Sequence, residues 1–298
     1  MMDLRAIGIA AALGSAASWA VGSILFKQLG ERISPLAMTL AKGSVSVVFL
    51  GLTFIFTKYE GVERQPLLLL ILSGLLGISL GDTFFFEALQ DLGPHALVLL
   101  LMLGQVFTVV LAVLFLGETL TLPAWTGIVL VVLGISVVLS TKLSSEKQAS
   151  GLRGIAFGLL AVLCMSVSIV IAKKGLESIS AMEATFIRML SGTLGMLVFG
   201  LATHRLGRWV IPFQDIKLVS LFLVSVCIVT FGGFWLSLVS IKYVDLAIAN
   251  TLNSTEPLFI LPLAAIFLRE KMTMGALVGT VLTISGIVVL CWTTANQL

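Results

Sequence analysis

The sequence predicts an all-α integral membrane protein: ten transmembrane helices, arranged as two inverted five-helix repeats around a central cavity. Three observations predict it. First, 58% of the 298 residues are hydrophobic and only 11% are charged, where a soluble domain averages about 25% charged residues. With a mean hydropathy of +1.13, the chain cannot cover itself with polar surface. Second, the apolar residues come in blocks of roughly 17–25, the length that crosses a hydrocarbon core of about 30 Å. Third, the second half of the chain echoes the first. The blocks must be helices, because backbone groups in lipid need partners within their own segment. The short alternating strands of a membrane barrel are not seen.

The spans are predicted near Ile7–Phe26, Leu36–Thr57, Leu67–Ala88, Ala96–Leu116 and Pro123–Thr141. The second five lie near Leu152–Ala172, Met182–Thr203, Ile216–Ser240, Leu246–Leu268 and Met274–Trp292. The first block resembles a signal peptide, with one basic residue and small residues at Ala16, Ala17 and Ser18. A later block repeats it, so it is expected to remain as a first helix. Most polar breaks are short, which makes consecutive helices antiparallel neighbours. The polar run 142–151 reads as a linker between a first repeat, 1–141, and a second, 152–298.

The repeat is visible residue by residue. Gly117–Leu139 aligns with Arg269–Cys291, matching Glu118 to Glu270, Thr121 to Thr273, Gly127 to Gly279 and Gly134 to Gly286. Upstream, Phe107 meets Phe259 and Leu111 meets Leu263. At the start of the halves, Gly8 meets Gly154, Lys27 meets Lys173, Ser34 meets Ser180 and Lys42 meets Arg188. Apolar helices align readily by chance, but coincident Gly, Glu and basic residues at both ends of a half indicate duplication. Five helices is an odd number, so the second half enters the membrane upside down. Secondary transporters use this design, with substrate held near the midplane between the repeats.

Ionisable residues in spans are costly, roughly 2.5–3.5 kcal/mol for Arg, Lys or Asp at a helix centre, so they usually face a cavity or a partner. Of those in the spans, Lys42, Asp82, Glu87, Arg188 and Glu256 are the candidates. Glu256 is expected deep in the ninth span. Asn250, Asn253 and Glu256 step by three along one helix face, and Pro257 would free the Asn253 carbonyl. These residues could bind a substrate ammonium or a coupling proton, or tie the helix to its neighbours by hydrogen bonds. Lys42 and Arg188 could hold a substrate carboxylate or phosphate, Arg bidentately, or could neutralise Asp82 and Glu256. Asp82 is deep enough to line a cavity. Glu87, about 140° further round the helix, is expected near a solvated end.

Trp19, Phe85, Phe231 and Trp235 could wall an apolar cavity or simply pack. Trp209 and Trp292 read as interface anchors, and His95 and His204 as solvated residues near helix ends. Gly77 and Gly81, Gly275 and Gly279, and the pairs Gly127/Gly134 and Gly279/Gly286 allow close helix contact, including a possible homodimer surface. Cys164, Cys227 and Cys291 are far apart in apolar blocks and suggest neither a disulfide nor a metal site.

Several classes are excluded or disfavoured. There is no His-Glu-x-x-His, no phosphate-binding glycine loop and no nucleophile elbow, so no catalytic residue, metal or cofactor is expected. A net charge of +3 does not point to nucleic acid. The expected partners are a small-molecule substrate and the lipid bilayer, and transport would be driven by a gradient.

Leu97–Thr121 and Ile248–Thr273 carry a resemblance that covers nearly the whole chain. Each is similar to the fourth helix of a repeat in EamA-type members of the drug/metabolite transporter superfamily, an apolar run with a proline that ends in Gly-Glu. The second keeps Pro257 but has Arg269 for Gly, and the first keeps Gly117-Glu118 but has Gln105 for Pro. The resemblance implies a ten-helix bundle around a central cavity, in a multi-pass protein of the cell (inner) membrane. It also implies export of amino acids, drugs or other metabolites by alternating access. It favours cytoplasmic termini, whereas a literal count of Lys and Arg in the loops favours the reverse. The rival reading is a non-transporting membrane sensor or partner subunit on the same scaffold.

Overall fold

In a computed structural model the described residues are 4–55, 63–104, 106–107, 122–145, 148–176, 179–210, 213, 215–244, 249, 252–253, 255–269 and 273–295. They form helices and turns, with no strand among them. The first half contains α1 (Leu4–Leu29), α2 (Pro35–Thr53), α3 (Arg64–Gly74), a π-helical segment (Leu75–Gly81), α4 (Asp82–Leu92), α5 (Pro94–Leu101) and α6 (Leu122–Ser145). The second contains α7 (Gln148–Gly175), α8 (Ala181–Ala202), the short α9 (Leu206–Val210), α10 (Ile216–Cys227), a second π segment (Ile228–Trp235), α11 (Leu236–Tyr243), α12 (Glu256–Phe267) and α13 (Met274–Ala295). Among the described residues, six helices are long and apolar enough to cross a membrane, counting α3–π–α4 and α10–π–α11 as one each. Large apolar side chains such as Val48, Leu68, Leu72, Val198, Leu201 and Val224 lie exposed on their outer faces. In water such a surface would aggregate, and in a bilayer it is solvated by lipid.

The stretch 142–151, expected as a linker, is helical at 142–145 and 148–151, where α6 ends and α7 begins. The equivalent serines Ser34 and Ser180 both stand at the N-cap of the second helix of their halves. Pro35 opens α2, where its missing N–H is no loss. Ser180 completes a capping box, accepting from the Glu183 N–H while Glu183 Oε2 accepts from the Ser180 N–H, both at 3.2 Å.

The halves interlock reciprocally. α1 packs along α10, the second π segment and α11, and α7 packs in the same way along α3, the first π segment and α4. α1 also packs on α12 as α7 packs on α5, while α2 pairs with α8 and α6 with α13. Helix directions follow from the contacts. The end of α1 and the start of α7 lie together at the end of α4: Lys27 Nζ donates to the Gln90 carbonyl, and Gly154 abuts Asp91 and Leu92. The start of α1 lies at the end of α11, where Gly8 abuts Tyr243 and Val244. α1 and α7 therefore run in opposite directions, as an inverted repeat requires.

The glycines of α6 and α13 face each other within the chain. A Cβ on Gly134 would lie 2.5 Å from the Gly279 carbonyl oxygen, and one on Gly286 2.7 Å from that of Gly127. These faces are thus occupied by each other, as the smooth closing contact between the two halves.

Candidate functional site

The third helix of each half changes winding at the same place. Leu75–Gly81 and Ile228–Trp235 are π-helical, and the repeat alignment superposes them almost residue for residue. A π turn is usually a single bulge near a functional site. It loosens the backbone ladder, so the Asp82 N–H reaches back to the Gly77 carbonyl. Hydroxyls then cover carbonyls: Ser15 Oγ donates to the Gly233 oxygen at 3.0 Å, and Thr83 Oγ1 to that of Ser79 at 2.7 Å.

A cavity of about 250 Å³ lies between the two widened helices. Gly77, Ile78 and Asp82 from one and Phe234 and Ser237 from the other line it. Trp19 from mid-α1, Phe85, Met165, Ser166 and Ser168 also line it, with Arg188 from α8, Asn253 from just before α12 and Glu256 from the start of α12. Six residues singled out in the sequence as binding or wall candidates, Trp19, Asp82, Phe85, Arg188, Asn253 and Glu256, thus meet in one space.

Lys42 is not on the cavity wall. It is 1% exposed and its ammonium is paired with the equally buried Asp82 carboxylate. The Phe234 ring centroid lies 4.5 Å from the Lys42 Nζ, within cation–π range. Lys42 therefore supports Asp82 from behind.

Arg188 is 7% exposed. Its Nη2 donates to Ser168 Oγ at 3.2 Å, and its Nε has no partner. Ser168 is held in turn by Ser73: each hydroxyl donates to the other's carbonyl, at 2.7 and 2.8 Å. The guanidinium is thus fixed on one edge while a buried donor is left open, a costly arrangement unless something else accepts from it. Asn253 Oδ1 is likewise buried without a partner. Glu256 is half-buried and forms no ion pair among the described residues.

Glu256 differs from expectation. It is the first residue of α12, not a mid-helix residue, and the chain turns at Thr255 just before it. Thr255 N–H donates to the Leu252 carbonyl and Leu258 N–H to that of Thr255, each reaching back only three residues. Pro257 lies in the first helical turn, where its lack of an N–H favours a helix start over a kink. Asn253 and Glu256 thus flank a break and still reach the same cavity.

Other expectations change. Trp235 lies outside the cavity, in a groove with Ile7, Lys242 and Tyr243. Phe231 stacks on Phe49, and Phe234 takes the wall position instead. His95 is buried, with Nε2 at 3.0 Å from Thr280 Oγ1, because α5 starts beneath α13. Trp209 is buried against Gly200 of α8. Glu87 pairs with Arg153. Asn250, Gln105, Gly117, Glu118, Thr121 and Glu270 lie outside the described residues. The π segments, Ser73, Ser166 and Ser168 were not anticipated. The clustered glycines 74, 77 and 81, and 232 and 233, were the available signal.

The profile of the EamA-like transporter family matches twice, over residues 6–140 and 152–292. A curated relative in Bacillus subtilis (strain 168), the uncharacterized transporter YvbV, is 29% identical over 150 residues, 49% of this chain and 49% of that protein. The chain thus spans about half the length of that relative. Protein LicB of Haemophilus influenzae (strain ATCC 51907 / DSM 11121 / KW20 / Rd) is 22% identical, with 95% of this chain and 97% of that protein covered. A solved crystal structure covers 96% of this chain and 97% of its own, with a TM-score of 0.62 at 14% identity, a likeness of fold.

Proposed function

This chain belongs to the EamA-like transporter family, and on that premise we propose that it is a secondary-active exporter in the cell (inner) membrane. It moves small polar or amphipathic metabolites, such as amino acids, by alternating access of its two halves. One observation carries the reading: an open donor on Arg188, an open acceptor on Asn253 and the Glu256 carboxylate converge on one cavity between inverted halves. With Lys42 and Asp82 paired, Arg188 and Glu256 are the cavity's remaining cation and anion among the described residues. A ligand carboxylate suits Arg188, whose planar fork binds such groups through two parallel hydrogen bonds. A ligand ammonium, or a coupling proton, suits Glu256, with Asn253 and Asn250 orienting the bound molecule. The apolar part of the ligand rests against Trp19, Phe85 and Phe234.

The test is counterflow of radiolabelled amino acids in proteoliposomes. Wild-type protein exchanges at least one of them, and Glu256→Gln loses exchange while eluting as a folded protein. Full flux from Glu256→Gln removes that residue from the mechanism. Sealed liposomes that exchange nothing, from a protein that co-purifies with a membrane partner, favour the sensor or partner-subunit reading.

A further inference from the structure

The two halves cross each other twice in the same manner, once near each end of the bundle. At one end the start of α7 lies on the end of α4, and at the other the start of α1 lies on the end of α11. A glycine admits the facing helix closely at both crossings. A Cβ on Gly154 would lie 2.7 Å from Asp91 Cβ, and one on Gly8 2.8 Å from Val244 Cγ1. The repeat alignment makes these two glycines equivalent, and it makes Asp91 and Leu92 equivalent to Tyr243 and Val244.

The rims of the two crossings differ. At the α7–α4 crossing the Arg153 guanidinium pairs with Glu87 and lies 3.4 Å from Asp91 Oδ1. Arg153 also stands over the Phe157 ring, 5.2 Å from its centroid. A second ion pair at the same end, Arg32 to Asp215 at 3.2 Å, ties the α1–α2 turn to the start of α10. Both bridges join one half to the other. At the opposite end, the positions equivalent to Arg153, Glu87 and Asp91 are Ile7, Val239 and Tyr243. None carries a charge at neutral pH, and all three line an open groove of about 600 Å³. Lys242, also in that groove, donates to the Ile179 carbonyl of its own half. Arg153 with Glu87 and Asp91, and Arg32 with Asp215, thus join the halves at the α7–α4 end.

We propose that Arg153 with Glu87 and Asp91, seconded by Arg32 with Asp215, is an ionic latch that holds the α7–α4 end of the transporter shut. The proposal rests on alternating access only in requiring that each end opens at some stage. The latch is suited to repeated opening. Arg153 is 54% exposed, and exposed pairs contribute little, so water and ions can take the place of each partner as the helices part. The contact at this end is thereby made responsive to ionic strength. Salt screens the α7–α4 end, because the Debye length falls from about 10 Å at 0.1 M to about 3 Å at 1 M.

The test is pulsed electron–electron resonance on the full chain in lipid nanodiscs, with the three cysteines replaced by serine. One sample carries spin labels at Glu31 and Leu152, at the latched end. A second carries them at Ala6 and Lys174, at the other end. The latched end gives one short distance in low salt. Arg153→Ala with Arg32→Ala shifts that population toward a longer distance, on the order of two- to fivefold per bridge removed. Raising NaCl from about 0.05 to 0.5 M moves the wild type the same way, and the double variant much less. The charge swap Arg153→Glu with Glu87→Arg restores the short distance, which guards against a variant that merely folds badly. An unchanged distribution at the latched end, under both substitution and salt, overturns the latch. If that end widens while the Ala6–Lys174 distance stays fixed, the latch stands and strict alternation between the ends fails.

Discussion

Asp82 and Phe234 occupy equivalent positions in the two repeats, and both meet the ammonium of Lys42, one as an ion pair and the other through its ring face at 4.5 Å. The duplicated scaffold brings the two positions to one point, and their differing side chains break its symmetry there. A single buried cation is thus held by both third helices at the level of the cavity.

That arrangement predicts an uneven response to substitution. Lys42→Met leaves the Asp82 carboxylate buried without its counter-ion, and breaking such a pair costs about 3–5 kcal/mol. Lys42→Met with Asp82→Leu removes both charges and recovers most of that loss. Thermal unfolding in detergent measures both. Equal instability of the single and double variants would show that the pair is not what Lys42 supplies.

Arg188 tests the cavity directly. Arg188→Lys keeps a positive charge but loses the planar fork, so binding of a carboxylate ligand weakens by about tenfold or more. Arg188→Gln weakens it further. Both variants keep the fold, because Ser73 and Ser168 bond to each other without the guanidinium. Isothermal titration with a transported amino acid measures the affinity, and wild-type affinity in Arg188→Gln would place the ligand elsewhere.

The α6–α13 contact predicts steric intolerance. Gly286→Val drives a side chain into the backbone of α6, 2.7 Å away. Overpacking of this kind costs typically 1–3 kcal/mol, more where backbone must move. Gly207→Ala in α9, with nothing within 4 Å of its Cβ, is neutral within about 0.5 kcal/mol. Unfolding midpoints of the two variants in detergent check the contrast.

Ser15→Ala removes the donor that covers the Gly233 carbonyl in the second π segment. An uncovered buried acceptor costs about 1–3 kcal/mol. Hydrogen–deuterium exchange in 228–235 rises if the hydroxyl holds the π winding in place, and an unchanged profile would show that the winding is held by packing alone.

The sequence by itself determined what depends on composition and local order: the membrane class, the all-helical character, the duplication and its inversion. It also singled out the intramembrane charges, because a charge in an apolar block is conspicuous wherever its helix goes. Which charges meet was decided by tertiary structure. Lys42 could equally have reached solvent or faced a ligand, and only the packing of α2 beside α4 and the second π segment commits it to Asp82 and Phe234. The start of α12 at Glu256 was decided in the same way, because Pro257 permits either a kink or a helix start and the choice lies with the turn at Thr255. The π segments were beyond reach for a similar reason. Their winding rests on hydroxyls from residues far away in the chain, such as Ser15 to Gly233, and apolar periodicity is nearly the same for either kind of turn. Side-chain charge is a property of one residue, whereas satisfaction of that charge is a property of two elements that only folding brings together.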